Sequence, residues 1–444
     1  MQLTTNQWKI VTLCAVGGLF EMMDMYVIGF ILAGLTKPWH LNYGQSATVL
    51  LASGIGAVLG SLVWGQFSDI FGRKIAFIGT LFVCSAASLA LALTPDGNWI
   101  YLAALRAVLG FGTGGFFIFI AYAQEFLPAN NRGFGTAIVS TAAAGGLLLG
   151  SAGASFLMPI IGWRGLFAIG TLPAALAVIA HYLVPESPRW SMSHGDKAGA
   201  SRSLTWALGD QADIDGIIAA HPTTALPPWK ALLDYRSNLT SGMLINLGVV
   251  TGYYGMVLWA PTMIAQILGV PPESAAKTIM WMTIAGLLSR LTIGKLADHL
   301  GRKTCGAITA VGAGVALTAA GFVGSGGWLT PTAFIYPFAL AFVLADSGFA
   351  VMGTYTAEIW PSRLRGRGTG ACYAAGGIGK IIGPLGLALL IGSAKLITPA
   401  ATVDAIFPAF AYLGSMFLLA AISYLFIARE TMGVTFESLD RPRD

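Results

Sequence analysis

Charge is what this chain lacks. Asp, Glu, Lys and Arg together make up 10% of its 444 residues, against roughly a quarter in ordinary soluble domains. A soluble chain of this length would divide into two or three domains, each needing a polar coat, and there are too few charges here to supply one. A water-solvated globule is therefore excluded. Cysteine is also sparse: Cys14, Cys84, Cys305 and Cys372 lie in or beside apolar runs, with no metal-ligand or disulfide spacing, and are given no role. H-E-x-x-H, G-x-S-x-G and the P-loop are missing. An enzyme reading then has no catalytic constellation, and no cofactor is expected. Gly110, Gly112 and Gly115 do spell G-x-G-x-x-G, but inside an apolar run with no preceding strand, so they are read as helix-packing glycines rather than a dinucleotide site.

What is present is apolar sequence, 55% of the chain. It falls into about a dozen runs of the ~20 residues needed to cross a hydrocarbon core. They lie near 10–35, 46–67, 75–93, 98–122, 135–159, 164–184, 239–260, 275–296, 305–323, 331–356, 368–391 and 404–427. Glycine-rich stretches such as Ala142 to Gly153 suit close helix approach in lipid, whereas a β-barrel would show short alternating segments. The first run is not a cleaved signal peptide, because it is long and carries two acids. With the N-terminus cytoplasmic, Lys37, Arg164, Lys277 and Lys395 fall outside, and Arg106, Arg290 and Lys380 fall within spans. The remaining Lys and Arg lie inside, which satisfies the positive-inside rule and places both termini in the cytoplasm of a cell with this chain in its inner membrane. The same bias explains the net charge of +5 without a nucleic-acid partner.

The chain repeats itself. GQFSDIFGRK (Gly65 to Lys74) returns as GKLADHLGRK (Gly294 to Lys303), EFLPANNRG (Glu125 to Gly133) as EIWPSRLRG (Glu358 to Gly366), and PES at 185–187 as RET at 429–431. Three motifs recurring in one order mark the halves of a secondary transporter, whose binding site lies where the repeats meet. The expected fold is all-α and polytopic, with twelve transmembrane helices in two pseudo-symmetric six-helix bundles. Residues 1–184 and 239–430 are expected to form the bundles, 185–238 the cytoplasmic linker and 431–444 a cytoplasmic tail.

The paired G-x-x-x-D-x-x-G-R-K loops resemble the signature of the major facilitator superfamily, and PESPRW with RETMG resembles its sugar-porter-like branch. LFEMMD at 19–24, YYGMVLWAP at 253–261 and TAEIWPSRLRG from Thr356 are similar to bacterial niacin and aromatic-acid permeases, relatives of organic-ion carriers and synaptic-vesicle glycoproteins. The chain departs from that narrower pattern in carrying Glu21 and Phe116, where such permeases often have an aspartate and another acid. The resemblance implies that the loop charges gate the cytoplasmic mouth. Asp69 and Asp298 would accept backbone N–H groups at a neighbouring helix end, the pairs Arg73–Lys74 and Arg302–Lys303 would meet carboxylates such as Glu125 and Glu358, and Arg132 and Arg365 are counted with the gating residues. The plainer alternative is that these basic residues only set topology.

Charges inside spans cost ~2.5 to 3.5 kcal/mol each at a helix centre, so they usually face a wet cavity or a partner. Glu21 and Asp24 share a face of the first span, and two acids crowded in low dielectric are expected to take up a proton near neutral pH. Arg106, in RAVLGFGTGG, matches a position where aromatic-acid symporters carry Arg, and with Lys380 it is expected to hold an organic anion. Asp346 and Lys380 are read either as site residues or as each other's partner, and Arg290 as a packing and gate charge near the cytoplasm. Tyr26, Tyr253, Tyr254 and Trp259 offer faces and donors for a flat ring, with an interfacial-belt role as the alternative for Trp259. The expected function is proton-coupled uptake of nicotinate or a benzoate-like acid by a monomer, energised by the proton gradient. The alternatives are a sugar or polyol porter, an organic-cation or drug antiporter and, more remotely, a non-transporting receptor.

Overall fold

The computed structural model describes residues 3–128, 131–209, 228–326, 330–361 and 364–432. Residues 210–227 of the expected linker and the tail from 433 lie outside the described residues, as do the side chains of Arg132 and Arg365.

Among the described residues, eleven helical stretches are long and apolar enough to cross a membrane. The fifth, Gly133–Leu183, runs 51 residues, or ~75 Å at 1.5 Å per residue, which is more than twice the hydrocarbon core. It is broken at Gly162, whose φ of 70° no helix contains. That stretch is therefore two crossings, which makes twelve among the described residues.

In order the helices are α1 (Thr5–Leu35), α2 (Tyr43–Phe71), α3 (Arg73–Ala92), α4 (Trp99–Thr113) continued by α5 (Phe116–Glu125), α6 (Arg132–Ala152), α7 (Met158–Ile169) and α8 (Pro173–Leu183). The short α9 (Pro188–Ser193) and α10 (Lys197–Leu208) follow. Then come α11 (Arg236–Leu268), α12 (Pro272–Leu300), α13 (Arg302–Gly324), α14 (Ile335–Glu358), α15 (Arg365–Ile391) and α16 (Pro399–Ile422).

The polarity is that of a protein dissolved in lipid. Large apolar side chains point outward, Ile160 at 79% and Phe426 at 80% exposure, while Glu21 and Arg106 are 0% exposed. The apolar exterior faces hydrocarbon, so burial of polar groups has to be supported by partners inside.

Two compact units are present: residues 1–27 with 55–225, and residues 28–54 with 226–444. Small residues let helices approach within the first. A Cβ on Gly56 would lie 2.0 Å from the Ala107 carbonyl oxygen, and one on Gly60 2.0 Å from that of Phe111, so α2 and α4 touch backbone to backbone. Gly112 likewise closes on the Cys84 sulfur, which supports the packing role over a nucleotide loop. The core of this unit is aromatic, with Phe77 against Phe119 at 4.6 Å and Tyr122 at 5.8 Å. In the second unit α11 packs mainly on α15. Trp259 is fully buried in that contact and donates its Nε1–H to the Pro384 carbonyl at 3.1 Å.

Candidate functional site

The first unit encloses an acidic packet. Glu21 and Asp24 lie one helical turn apart on α1, both 0% exposed. Asp24 Oδ2 accepts from the Ser88 hydroxyl at 3.0 Å, and the Cys84 thiol lies 3.9 Å from Glu21 Oε1. Both partners come from α3, one turn apart, so two spans present matching faces. Room for Asp24 comes from Gly170, where a Cβ would stand 2.4 Å from Oδ1. The remaining oxygens, Glu21 Oε2 and Asp24 Oδ1, have no hydrogen-bond partner among the described residues. The sequence pointed to the two acids; it did not identify Ser88 or Cys84, which are unremarkable in an apolar run.

Arg106 stands beside this packet but is held by the backbone. Its Nη1 donates to the Asp24 carbonyl at 2.7 Å and its Nη2 to the Met25 carbonyl at 3.1 Å. Glu21, Asp24 and Arg106 are all 0% exposed, so within this unit they meet partners rather than an open cavity. Tyr26 is also buried, two residues further along α1.

The second unit carries its own charged cluster. Asp346 is buried on α14 and binds Arg290 of α12 through both oxygens, Nε to Oδ2 at 2.7 Å and Nη2 to Oδ1 at 2.7 Å. Tyr253 of α11 adds its hydroxyl to Oδ1 at 2.9 Å. One sequence alternative is corrected here: Asp346 is paired with Arg290, which was expected as a packing and gate charge, rather than with Lys380. Spacing in the sequence did not show which charges meet across helices. Lys380 instead places its ammonium 4.9 Å from the centre of the Tyr254 ring, a cation–π distance. Trp259 does not take the interfacial-belt position: it is a core residue with Tyr43 at 5.5 Å.

The repeated loop motifs build the same structure twice. Arg73 reaches Asp69 at 2.7 Å and Glu125 at 3.6 Å; Arg302 reaches Asp298 at 2.9 Å and Glu358 at 3.1 Å. The backbone N–H groups at the start of α3 and α13 are capped by Glu186 and Glu430. Glu186 accepts from the Lys74 N–H at 3.0 Å, and Glu430 from those of Arg302 and Lys303 at 2.8 and 3.1 Å. The aspartates lie in the last turns of α2 and α12 and pair with the arginines that open α3 and α13. Ser187 and Thr431 complete the pair, donating to Glu125 and Glu358. PES and RET therefore supply the caps. The conserved order of the motifs in the two halves is a structural repeat, although the capping role of the third motif was not evident from its distance in sequence.

Comparison with known proteins agrees with this architecture. The niacin transporter NiaP of Acinetobacter baylyi is 27% identical over 97% of this chain and 96% of its own length. The cis,cis-muconate transport protein of the same organism is 24% identical over 88% and 90%, and a synaptic vesicle 2-related protein of Pongo abelii 26% identical over 96% and 79%. Among solved structures, the inward open conformation of the xylose transporter XylE from E. coli superposes with a TM-score of 0.74, covering 98% of this chain and 99% of that one at 20% identity, a likeness of fold. The sequence profile of the Major Facilitator Superfamily matches residues 14–384. With twelve crossings, a duplicated loop motif and that match over most of its length, this multi-pass membrane protein belongs to the Major Facilitator Superfamily.

Proposed function

We propose that this transporter couples proton entry to uptake of a small organic anion, with an aromatic monocarboxylate such as nicotinate or a benzoate-like acid as cargo. The observation that carries the reading is the Glu21–Asp24 packet, two enclosed carboxylates each with an oxygen lacking a hydrogen-bond partner among the described residues. A bare carboxylate in such a place is costly, and a proton shared there removes the like charge. Moving an anion inward against a potential negative inside costs ~2.3 kcal/mol per charge per 100 mV, and one co-transported proton cancels that cost. The relatives named above for niacin and cis,cis-muconate transport support an acid as cargo. Asp24 and Glu21 are assigned the proton, and Lys380 with Tyr254 and Tyr253 a place beside the cargo. The twin loop clusters around Arg73 and Arg302 are assigned gating. The basic-residue bias supports cytoplasmic termini in a bacterial inner membrane.

Proteoliposomes separate this reading from its rivals. Labelled nicotinate, benzoate, glucose and a quaternary amine are offered with and without an imposed gradient, acid outside. Accumulation of the acids, dependent on the gradient, is the expected result. Gradient-driven efflux of the amine with no acid uptake would overturn the reading in favour of an antiporter, and glucose uptake in favour of a sugar porter.

A further inference from the structure

We propose that Arg290 is the receptor for the cargo carboxylate, and that Asp346 occupies it while no cargo is bound. This rests on the reading that the cargo is an aromatic acid. The geometry of the pair is the first argument. Two donors of one guanidinium meet two oxygens of one carboxylate at 2.7 Å each, the fork that a free carboxylate ligand would copy. The second argument is asymmetry of access: the Asp346 side chain is 3% exposed and that of Arg290 21%. The cation has an open edge while its internal partner stays covered.

Aromatic faces surround the fork. Tyr253 and Phe349 stand edge to face at 4.6 Å, Tyr254 is 5.9 Å from Tyr253, and the Arg290 guanidinium carbon is 5.9 Å from the Phe349 ring centre. A flat ring whose carboxylate docks on Arg290 would meet these faces. Neither other intramembrane cation offers as much. Arg106 is fully enclosed and directs both Nη groups at backbone carbonyls. Lys380 is a point charge, without a fork for bidentate recognition. A purely structural purpose is a weak explanation for the pair, because buried ion pairs can often be replaced by apolar groups of similar volume without loss of stability.

Exchange at this site balances as follows. The cargo carboxylate takes the two guanidinium bonds, the Asp346 carboxylate gives them up and keeps the one from the Tyr253 hydroxyl, and the charge the cargo brings is offset by the proton assigned to Glu21 and Asp24. Arg290 from α12 and Tyr253 from α11 both bind Asp346, and α13 brings Thr309 to the adjacent Gly348.

Equilibrium binding of labelled nicotinate and benzoate to the purified full chain in nanodiscs tests the inference separately from gradient-driven uptake. Asp346→Asn removes the internal competitor and should bind several-fold more tightly than the wild type. The charge-neutral double variant Arg290→Gln/Asp346→Asn leaves no lone buried charge, and should fold yet lose at least about tenfold in affinity, which is ~1.4 kcal/mol. Wild-type binding by that double variant would overturn the receptor while leaving the aromatic-acid reading intact. Absence of binding in the wild type would remove both. If the double variant yields no folded protein, Asp346→Asn decides alone: folded protein with weakened binding would overturn the inference.

Discussion

At the scale of single residues, the acids of α1 and their arginine divide the work. Asp24 has one oxygen on Ser88 and one without a partner, so replacing it by asparagine keeps shape and hydrogen-bonding capacity while removing the titratable group. Asp24→Asn is expected to abolish gradient-driven accumulation in proteoliposomes and to leave cargo exchange across the membrane measurable. An unchanged response to the imposed gradient would show that the proton travels elsewhere. Arg106 does something different. Its two donors hold the carbonyls of Asp24 and Met25, so Arg106→Ala leaves two acids without their nearby cation and two carbonyls without donors. Breaking a buried charged network by removing one partner costs about 3–5 kcal/mol, and the variant should show a clearly lowered unfolding temperature in detergent. Arg106→Lys keeps the charge but not the fork, and should fall between. An alanine variant as stable as the wild type would mean that the packet does not need its cation.

At the scale of the elements, the loop motif shows how much of the molecule was legible in its sequence. The helices could be read because lipid requires long apolar runs, and the repeat because its three motifs recur in order. The charges of the spans were visible as exceptions in those runs. What could not be read was which groups meet. Arg290 and Asp346 come from helices 56 positions apart, and only the angle at which α12 and α14 pack brings their faces together. The caps of α3 and α13 come from PES and RET, and their distance in sequence concealed them behind nearer aspartates. The structure also separates two glycines of one motif. Gly301 has φ of 95°, and a Cβ there would lie 2.1 Å from Glu430 Oε2, whereas Gly294 has no atom within 4 Å of such a Cβ. Gly301→Ala should therefore cost about 1–3 kcal/mol through backbone strain and by displacing the cap. Gly294→Ala should be neutral or slightly stabilising, because alanine favours helix by about 1 kcal/mol. Thermal unfolding of the two variants side by side checks the assignment, and equal losses would refute it.

At the scale of the whole molecule, α1 and α2 each belong to both compact units. Thr5 to Val27 lies in the first and Ile28 to Leu35 in the second; Tyr43 to Gly54 lies in the second and Ile55 to Phe71 in the first. Transporters of this architecture work by moving one repeat against the other, and residues 28–54 belong by sequence to the first repeat. Within the second unit that segment is strapped by its backbone. The Tyr43 N–H donates to the Lys395 carbonyl at 3.0 Å, Gly44 to Ser393 at 2.8 Å and Ile397 to Leu41 at 3.3 Å, with Asn42 and Leu396 paired as an antiparallel bridge. The Tyr43 hydroxyl meets that of Thr402 at 2.6 Å. Turnover must then either release this strap or bend α1 and α2 at the joins between units. Neither helix has a proline there to ease bending, and the Ser393 to Leu396 side of the strap is exposed, where hydrogen bonds exchange for water at little cost, so release is the expected route. Cysteines at 42 and 396, opposite each other in an antiparallel bridge, have Cα atoms about 4.5–5.5 Å apart, within disulfide range, and the four native cysteines are buried. Oxidation of the Asn42→Cys/Leu396→Cys variant should stop uptake, and reductant should restore it. If the oxidised protein transports at the reduced rate, the strap stays closed through the cycle and the motion lies in the helices at 27/28 and 54/55.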